Sequence, residues 1–338
     1  MTYSSFHARF SAKYRFRAED KECRAKGESS LFLAEEHVLP HKSPRIIAVG
    51  GGKGGVGKTC LSANIAIEIA RKGWQVVVID ADLSCSNLEL VLGLKADRRL
   101  DDFFLQKGAK DLNSVICDTN YENLRIVSGS TGLRDVANPK YHQKQALIRE
   151  IHRIDADVVI VDLDAGAHLN TLDFYLMSDT DGILVINPEK TSIDNAFKFL
   201  RSALFRKIER FYKSPEVNIL LRRKETLRSF IQSIREHPKL EERRKKQLCG
   251  EMIALAQSMK PKIIVNRARN AYEAQITSNF LLKSSLQYLM IEPEQLGHVP
   301  FDSIVPESVN SGVPFVVGYR QHEVSVCIAD IVNRMGWV

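Results

Sequence analysis

Cysteine pairs, long apolar runs and an apolar leader are all missing from this sequence. Its six cysteines are scattered over 338 residues and none forms a C-x-x-C pair, which argues against both a disulfide scaffold and a zinc site. No apolar stretch approaches the about 18 residues that cross a bilayer, and the N-terminus has no apolar core typical of a secretory signal peptide. We therefore expect a cytoplasmic protein with reduced thiols and no transmembrane segment.

Apolar content sets the size of the predicted fold. Hydrophobic residues make up 44% of the chain, which is enough for one large α/β domain or a domain with appendages. Residues 1–44 are polar, mixed in charge and without a clear hydrophobic period. They predict a solvated tail, with a short docking segment as the alternative. The globular domain is predicted to span residues 45–338.

A glycine-rich stretch near the start of this domain carries the most specific motif. Four apolar residues at 46–49 predict a buried strand, and an apolar-periodic helix is predicted from Leu61 to Ala70. Between them, residues 52–59 fit G-x-x-x-x-G-K-[ST], the phosphate loop of nucleoside triphosphatases. In such a loop backbone N–H groups surround the phosphates, Lys58 reaches the β- and γ-phosphates, and the Thr59 hydroxyl holds Mg²⁺. The predicted nucleotide contacts of this stretch are Gly52, Gly54, Gly55, Val56, Gly57, Lys58, Thr59 and Cys60.

Two later strands are predicted to end in carboxylates. The apolar run 75–79 leads into Asp80 and Asp82, and the run 157–161 leads into Asp162, as in the Walker B arrangement that holds Mg²⁺. Ligands in open α/β sheets bind at the carboxyl ends of the strands, so these side chains are expected beside the phosphate loop. The alternative for Asp80 and Asp82 is that both simply cap the next helix.

A second lysine in the loop adds a family resemblance. The stretch Lys-Gly-Gly-Val-Gly-Lys-Thr at 53–59 resembles the deviant phosphate loop of the MinD/ParA ATPases, and residues 80–94 resemble the first switch of MinD and FlhG. Weaker likenesses to the same branch follow at 188–192 and 306–314. Ser192 is predicted to start a long helix from Ile193 to Phe211. The resemblance spans roughly residues 45–335 and implies a doubly wound, mostly parallel sheet flanked by helices, the fold of P-loop NTPases.

The resemblance also implies an activity. It points to a cytoplasmic Mg²⁺-ATPase that dimerises around ATP, is stimulated by a protein partner, and uses slow hydrolysis to position or regulate a flagellum, a division site, a chromosome or another cargo. Lys53 would act on the nucleotide of the second copy, Lys58 on the phosphates, and Asp82 on the attacking water. The implied metal site comprises Thr59, Asp80, Asp82 and Asp162. The implied adenine contacts are Asn266, Pro300 and Asp302.

Departures from the family pattern leave alternatives open. Asp164 follows the third strand where MinD and FlhG carry Pro-Ala-Gly or Gly-Ala-Gly, and a carboxylate there would either tighten the metal site or repel the nucleotide. A nucleotide-gated binding module with little hydrolysis therefore stays open.

Two other members of the wider family fit less well. An Mrp-type iron–sulfur carrier would need a C-x-x-C pair, which this chain lacks. A bacterial tyrosine kinase would need a tyrosine-rich C-terminus, and only Tyr319 lies there. His168 is expected to be a solvated or capping residue rather than a base.

A helical insert is predicted at about residues 206–258. Residues 206–246 contain 14 basic and 6 acidic residues, a net charge of +8 against +7 for the whole chain. The apolar spacing of residues 227–234 predicts a helix whose other faces are basic. Non-specific DNA or another polyanion is one partner that suits this surface; a solvated hairpin or an arm for an acidic protein is the other reading. The family's C-terminal membrane-targeting helix is expected to be absent, because the chain stops at residue 338.

Overall fold

A computed structural model describes residues 43–83, 85–105, 111–130, 139, 141–178, 182–212, 217, 221, 224–238 and 240–337. The predicted N-terminal tail lies outside these residues except for its last two positions. Within them, no helix has both the length and the apolarity needed to cross a bilayer.

An eight-stranded sheet forms the centre of the fold, with the strand order β3-β4-β2-β5-β1-β6-β7-β8. All neighbouring strands pair in parallel except β3 and β4. The strands are β1 (Arg45–Gly50), β2 (Val76–Ala81), β3 (Cys117–Asp118), β4 (Leu124–Val127), β5 (Val158–Leu163), β6 (Ile183–Ile186), β7 (Lys262–Ala268) and β8 (Glu294–Pro300). The predicted doubly wound, mostly parallel sheet is confirmed.

Helices cover both faces of this sheet. They are α1 (Lys58–Arg71), α2 (Leu88–Leu92), α3 (Leu100–Leu105), α4 (Tyr141–Ile151), α5 (Leu169–Tyr175), α6 (Lys190–Tyr212), α7 (Leu227–Arg235), α8 (Glu242–Gln257), α9 (Ala271–Leu289), α10 (Ile304–Ser311), α11 (Phe315–Gly318) and α12 (Glu323–Arg334). Short 3-10 turns lie at Asn113–Val115 and Leu176–Ser178.

Alternation along the central strands explains this layering. Ile47 and Val49 of β1 belong to one apolar core with residues of α1 and α12, because successive side chains of a strand point to opposite faces. At Gly50 a Cβ would meet Phe199 of α6 at 3.2 Å and Tyr175 of α5 at 3.4 Å. Both faces of β1 are therefore closed, and its free end delivers the chain into the phosphate loop.

The helix after β6 begins earlier than the sequence suggested. We expected a helix from 193 to 211 with Ser192 at its start, but α6 begins at Lys190. The Ser192 hydroxyl accepts a hydrogen bond from the Asn187 N–H at 3.0 Å. It therefore fastens the end of β6 from inside the first turn of the helix.

The helical part of the predicted insert is confirmed in α7 and α8. The capping box at the start of α7 joins Thr226 and Ser229, whose N–H donates to the threonine Oγ1 at 3.0 Å. The apolar residues that predicted this helix are all buried: Leu227, Phe230, Ile231 and Ile234.

Candidate functional site

The phosphate loop joins β1 to α1 and depends on two glycines for different reasons. Gly57 precedes the first residue of α1 with a φ of 96°, a conformation that glycine adopts without strain. A Cβ on Gly57 would lie 2.3 Å from Asn266 Nδ2, and one on Gly52 would lie 2.2 Å from the Asn195 carbonyl oxygen. The loop therefore packs closely against the backbone of α6 at Gly52 and against the Asn266 side chain of β7 at Gly57.

Lys58 and Thr59 begin α1 facing the end of β5. Lys58 is 8% exposed, so its charge sits in a partly desolvated position where it attracts an anion strongly. Asp162, the second last residue of β5, accepts hydrogen bonds from Ser62 Oγ at 2.9 Å and from the Thr59 side chain. The structure thus brings together the predicted lysine, hydroxyl and Walker B carboxylate.

Asp162 and Asp80 form a buried pair of like charges. They are opposite each other in the β2–β5 register. Burial raises the pKa of Asp162, and Asp80 raises it further; burial is also the main cause of the raised pKa of Asp80. A divalent cation at this edge would stabilise both ionised forms, and hydroxyl and carboxylate oxygens are the ligands that Mg²⁺ takes.

The donor set also fits the way Mg²⁺ is usually held. Among the described residues, no three His, Cys, Asp or Glu side chains cluster as a self-sufficient metal site. Mg²⁺ in nucleotide enzymes takes one or two protein ligands and completes its shell with water and phosphates. Thr59 and Asp162 match that requirement, and their assignment as metal ligands stays a prediction.

Asp80 organises the segment that follows β2. Its Oδ2 accepts hydrogen bonds from Ser86 Oγ at 2.6 Å, from the Asn87 N–H at 3.0 Å and from the Leu88 N–H at 3.0 Å. Its Oδ1 accepts from the Asp82 N–H at 3.1 Å. The loop-supporting half of the Asp80 prediction agrees with this geometry, and the capping alternative agrees with it too. Direct metal support by Asp80 stays a prediction.

Asp82 and Asp164 are half-buried carboxylates whose charges interact. Burial raises the pKa of Asp164, and the Asp82 carboxylate is the next largest cause. One oxygen of Asp164 accepts from the Ala165 N–H at 2.5 Å, and one of Asp82 accepts from the Cys85 N–H at 2.9 Å. The additional carboxylate predicted beside the phosphate site is therefore close to the residue predicted to act on water.

Lys53 is held within its own chain. Its Nζ lies 2.8 Å from Glu189 Oε2 and 3.3 Å from Thr191 Oγ1, and the lysine and glutamate side chains are 42% and 53% exposed. Sequence reasoning missed this ion pair because the residues are 136 positions apart. The available signal was that Glu189 comes shortly after the end of β6, at the edge of the sheet that carries the loop.

The three predicted adenine contacts lie at the ends of β7 and β8. Asn266 Nδ2 donates to the Val56 carbonyl of the phosphate loop at 2.8 Å. Pro300 ends β8 opposite Ala268, and Asp302 Oδ1 accepts from the Ile304 N–H at 2.9 Å. Asn266 thus touches the loop directly, while contact with a base stays a prediction.

Two further residues from the sequence reasoning have simple surroundings. Burial raises the pKa of Cys60 to about 12, so the thiol stays protonated and only its backbone is suited to a phosphate. His168 is exposed at the position before α5 and makes no side-chain capping bond. Its predicted role as a solvated residue fits this position.

The basic insert is less uniformly basic at its surface than its composition suggests. Arg206 bonds to Asp173 at 2.8 and 3.1 Å, and Lys245 pairs with Glu242 at 2.8 Å. Lys213, Arg222, Arg223 and Lys239 lie outside the described residues. The exposed basic residues of α7 and α8 are Arg228, Arg235, Arg243, Arg244 and Lys246.

Curated relatives match just under half of the chain. An uncharacterized ATP-binding protein of Methanocaldococcus jannaschii is 35% identical over 156 residues, which cover 46% of this chain and 57% of that protein. The antiactivator FleN of Pseudomonas aeruginosa is 34% identical over 159 residues, 46% of this chain and 55% of its own. The septum site-determining protein MinD of Escherichia coli is 34% identical over 165 residues, 46% of this chain and 57% of its own. The chain thus spans about half the length of the curated relatives it matches.

Solved structures extend the likeness of the fold over most of the chain. MinD from Pyrococcus horikoshii, solved with Mg-ADP, aligns with a TM-score of 0.59 at 20% identity and covers 86% of this chain and 96% of its own. MinD of Aquifex aeolicus in a MinC:MinD complex gives 0.56 at 19% identity, with coverages of 86% and 95%. The family described as the CobQ/CobB/MinD/ParA nucleotide binding domain matches residues 47–315. By this match, and by the loop and strand ends described above, the chain belongs to the MinD/ParA family of nucleotide-binding proteins.

Proposed function

We propose that the protein is an ATP-dependent switch that binds Mg²⁺-ATP, pairs with a second copy and hydrolyses the nucleotide slowly. The observation that carries the proposal is the joint placement of Lys58, Thr59 and Asp162 at the end of the glycine-rich loop. Anion-binding amides, a desolvated lysine and a paired hydroxyl and carboxylate are what a triphosphate with its metal ion needs.

Each residue has a distinct part in this proposal. Loop amides and Lys58 bind the phosphates, and Thr59 and Asp162 hold the metal ion. Bound Mg²⁺ neutralises charge on the phosphate oxygens. Asp80 fixes the segment that carries Asp82, whose carboxylate orients the attacking water.

Lys53 gives the switch two states. Bonded to Glu189, it serves its own chain; to reach the nucleotide of a second copy it must leave that carboxylate. The exposed pair is weak in water, so the negative phosphates of a second copy are able to replace it. ATP occupancy and dimerisation are thereby coupled through a single side chain.

The proposed cellular role follows the relatives. Such relatives include an antiactivator, septum site-determining proteins and, in Helicobacter pylori, a flagellum site-determining protein. A cytoplasmic nucleotide switch that positions or regulates a structure of this kind, with a protein partner that stimulates hydrolysis, is the corresponding role for this chain. The scattered free cysteines suit a reducing compartment.

Binding and turnover of ATP test the proposal directly. Purified protein should bind ATP in the presence of Mg²⁺, measured by calorimetry, and Lys58→Ala should abolish that binding. Asp82→Ala should retain binding and lose turnover. The proposal fails if the wild-type protein binds no nucleotide, or if Lys58→Ala binds it unchanged.

Asp164 supports a second candidate, a nucleotide-gated binding module that barely hydrolyses ATP. Its carboxylate lies beside Asp82 and its pKa is raised by burial and by that neighbour, so it competes with an attacking water for space and charge. Binding without turnover, with activity gained in Asp164→Gly, would favour the module. Turnover in the wild type that needs Asp82 would favour the ATPase.

The exposed bases of α7 and α8 support a third element of the proposal, a non-specific contact with DNA or another polyanion. The alternative is a solvated arm, or an arm that binds an acidic protein.

A further inference from the structure

Arg267 lies in a β-bulge at the carboxyl end of β7, the edge of the sheet that holds the phosphate loop. β7 and β8 change register between Asn266 and Ala268, so Arg267 is the extra residue. Its φ is 59°, in the left-handed region that suits glycine and strains a residue with a Cβ. Strained backbone of this kind concentrates at functional sites. Because the Arg267 side chain is exposed, packing does not explain an arginine at this position.

The other non-glycine residues with positive φ, among those described, have local explanations. Asn123 has a φ of 61°, and asparagine tolerates this region well. Met290, with a φ of 58°, follows the last residue of α9 as its C-cap. Arg267 has neither explanation.

The surroundings of Arg267 place its charge over the nucleotide side of the loop. Its side chain is exposed while both neighbours in the chain are buried. The preceding Asn266 is bonded to the Val56 carbonyl, which attaches the bulge to the loop. The Arg267 guanidinium acts electrostatically on Cys60 of α1 and on Glu189, the carboxylate that holds Lys53, so its charge is felt on both sides of the loop.

This placement identifies the part of the nucleotide that Arg267 faces. Lys58 serves the β- and γ-phosphates in the loop motif, and Asn266 is the proposed base contact. Arg267 follows Asn266 in the chain and acts electrostatically on Cys60, the residue after the motif. This combination favours the region between the phosphate tail and the base. We propose that the Arg267 guanidinium binds the α-phosphate of the nucleotide, an inference that rests on the proposed function.

An α-phosphate contact has a specific signature. ATP and ADP share this group, so losing the contact weakens both ligands by the same factor. A charge-assisted hydrogen bond to phosphate corresponds to about a tenfold change in affinity. Loss of a γ-phosphate contact would instead weaken ATP alone.

The test compares Arg267→Gly with wild type by titration calorimetry of ATP and of ADP, both with Mg²⁺. Glycine removes the guanidinium and relieves the backbone strain, so the nucleotide-free variant should unfold at the wild-type temperature or above it. Both dissociation constants should rise about tenfold. Arg267→Asn, which also tolerates the left-handed conformation, should give the same result and guards against an unexpected loss of folding in the glycine variant.

Arg269→Ala is the matched control, because Arg269 is also an exposed arginine at the end of β7 and faces Glu273 at 3.8 Å. It should leave both constants unchanged. If wild type binds ATP and Arg267→Gly binds it equally well, the inference is overturned and the proposed function stands. If only ATP binding weakens, the α-phosphate assignment is wrong. If wild type binds neither nucleotide, the proposed function itself has failed.

Discussion

At the scale of single residues, Gly52 decides whether the phosphate loop can pack against α6. A Cβ at this position would lie 2.2 Å from the Asn195 carbonyl oxygen, and backbone cannot yield as a flexible side chain does. Gly52→Ala should therefore lower the free energy of unfolding by about 1–3 kcal/mol and lose most ATP binding. Chemical denaturation and calorimetry measure the two effects.

Gly250→Ala is the control for this change. Gly250 lies exposed within α8, with nothing within 4 Å of an added Cβ, so alanine should stabilise the protein by about 0.5–1 kcal/mol. Nucleotide binding should not change. Wild-type stability and affinity in Gly52→Ala would show that the loop moves freely away from α6.

The Lys53–Glu189 pair carries the second prediction at this scale. Glu189→Gln removes the charge that keeps Lys53 on its own chain, so a larger fraction of dimer should form at a given ATP concentration. Because the pair is exposed, the unfolding temperature should stay the same. Sedimentation velocity with ATP and with ADP measures the dimer.

Asp194→Asn is the matched control, since Asp194 makes an equally exposed pair with Lys198 on α6 at 2.7 Å. It should leave the dimer fraction unchanged. A dimer fraction that does not change in Glu189→Gln would show that the pair does not restrain Lys53.

Residue-scale prediction from the sequence is possible where a proposed function depends on neighbours in the chain. The loop glycines, Lys58 and Thr59 lie within eight residues and their roles follow from the motif alone. Glu189 and Arg267 escaped, because the first acts through a contact across the fold and the second through a backbone conformation. Neither leaves a periodic signal in the sequence.

At the scale of elements, Asp173 of α5 connects three helices. Lys144 of α4 lies 2.5 Å from its carboxylate, Arg206 of α6 lies 2.8 Å away, and Arg210 lies 3.7 Å away. The Asp173 side chain is 1% exposed. Burial would raise its pKa, but hydrogen bonds and charges from Arg206 and Lys144 hold that pKa below its ordinary value.

Asp173→Asn should cost about 3 kcal/mol of unfolding free energy at neutral pH, because it leaves a buried lysine without its counter-charge. Because the pKa of Asp173 is lower in the folded state, the ionised side chain stabilises the fold above the ordinary pKa of an aspartate. This stabilisation is lost as the pH falls through the pKa of the folded state. Wild type should therefore lose stability below about pH 4, and the variant should lack this component. Urea unfolding at several pH values measures it.

Asp155→Asn is a suitable comparison, since Asp155 is exposed and should leave the free energy of unfolding nearly unchanged. Equal acid sensitivity in wild type and Asp173→Asn would contradict the role assigned to Asp173.

The sequence alone placed Arg206 among the surface bases of the insert. The sequence does not show that Arg206 pairs with Asp173, a carboxylate on another helix 33 residues away.

Elements themselves were well predicted where apolar runs are continuous. Strands β1, β2 and β5 are buried on both faces, as central strands of a parallel sheet are, and such runs are easily recognised. The start of α6 was misplaced, because a serine at a helix start and a serine inside the first turn have the same local sequence pattern.

At the scale of the whole molecule, charge on α8 carries the prediction about polyanions. Arg243→Ala, Arg244→Ala and Lys246→Ala in combination remove three exposed positive charges. If the insert binds DNA, affinity should fall and the slope of log affinity against log salt should decrease by about 2–3. Fluorescence anisotropy with a short duplex over a salt series measures both.

The control removes the same charge elsewhere. Lys95, Lys283 and Arg320 are exposed and lie outside the insert, so their combined replacement by alanine should leave the salt slope close to wild type. An equal loss in both triple variants would mean that only net charge matters. Absence of DNA binding by wild type would remove the polyanion role and favour the solvated or acidic-protein arm.

Dimerisation and the basic insert (α7 and α8) together predict an effect on DNA binding that neither gives alone. Two copies joined around ATP present two basic inserts to one DNA duplex. Once the first insert is bound, the second binds the same duplex at a high effective concentration. DNA binding should therefore be at least tenfold tighter with ATP than with ADP. Lys53→Ala should bring the ATP affinity down to the ADP value while leaving the ADP value itself unchanged, because the arm of a single copy is intact. The triple variant of α8 should bind DNA more weakly in both nucleotide states. If Lys53→Ala retains the full effect of ATP, the nucleotide acts on the arm within one chain and not through a second copy.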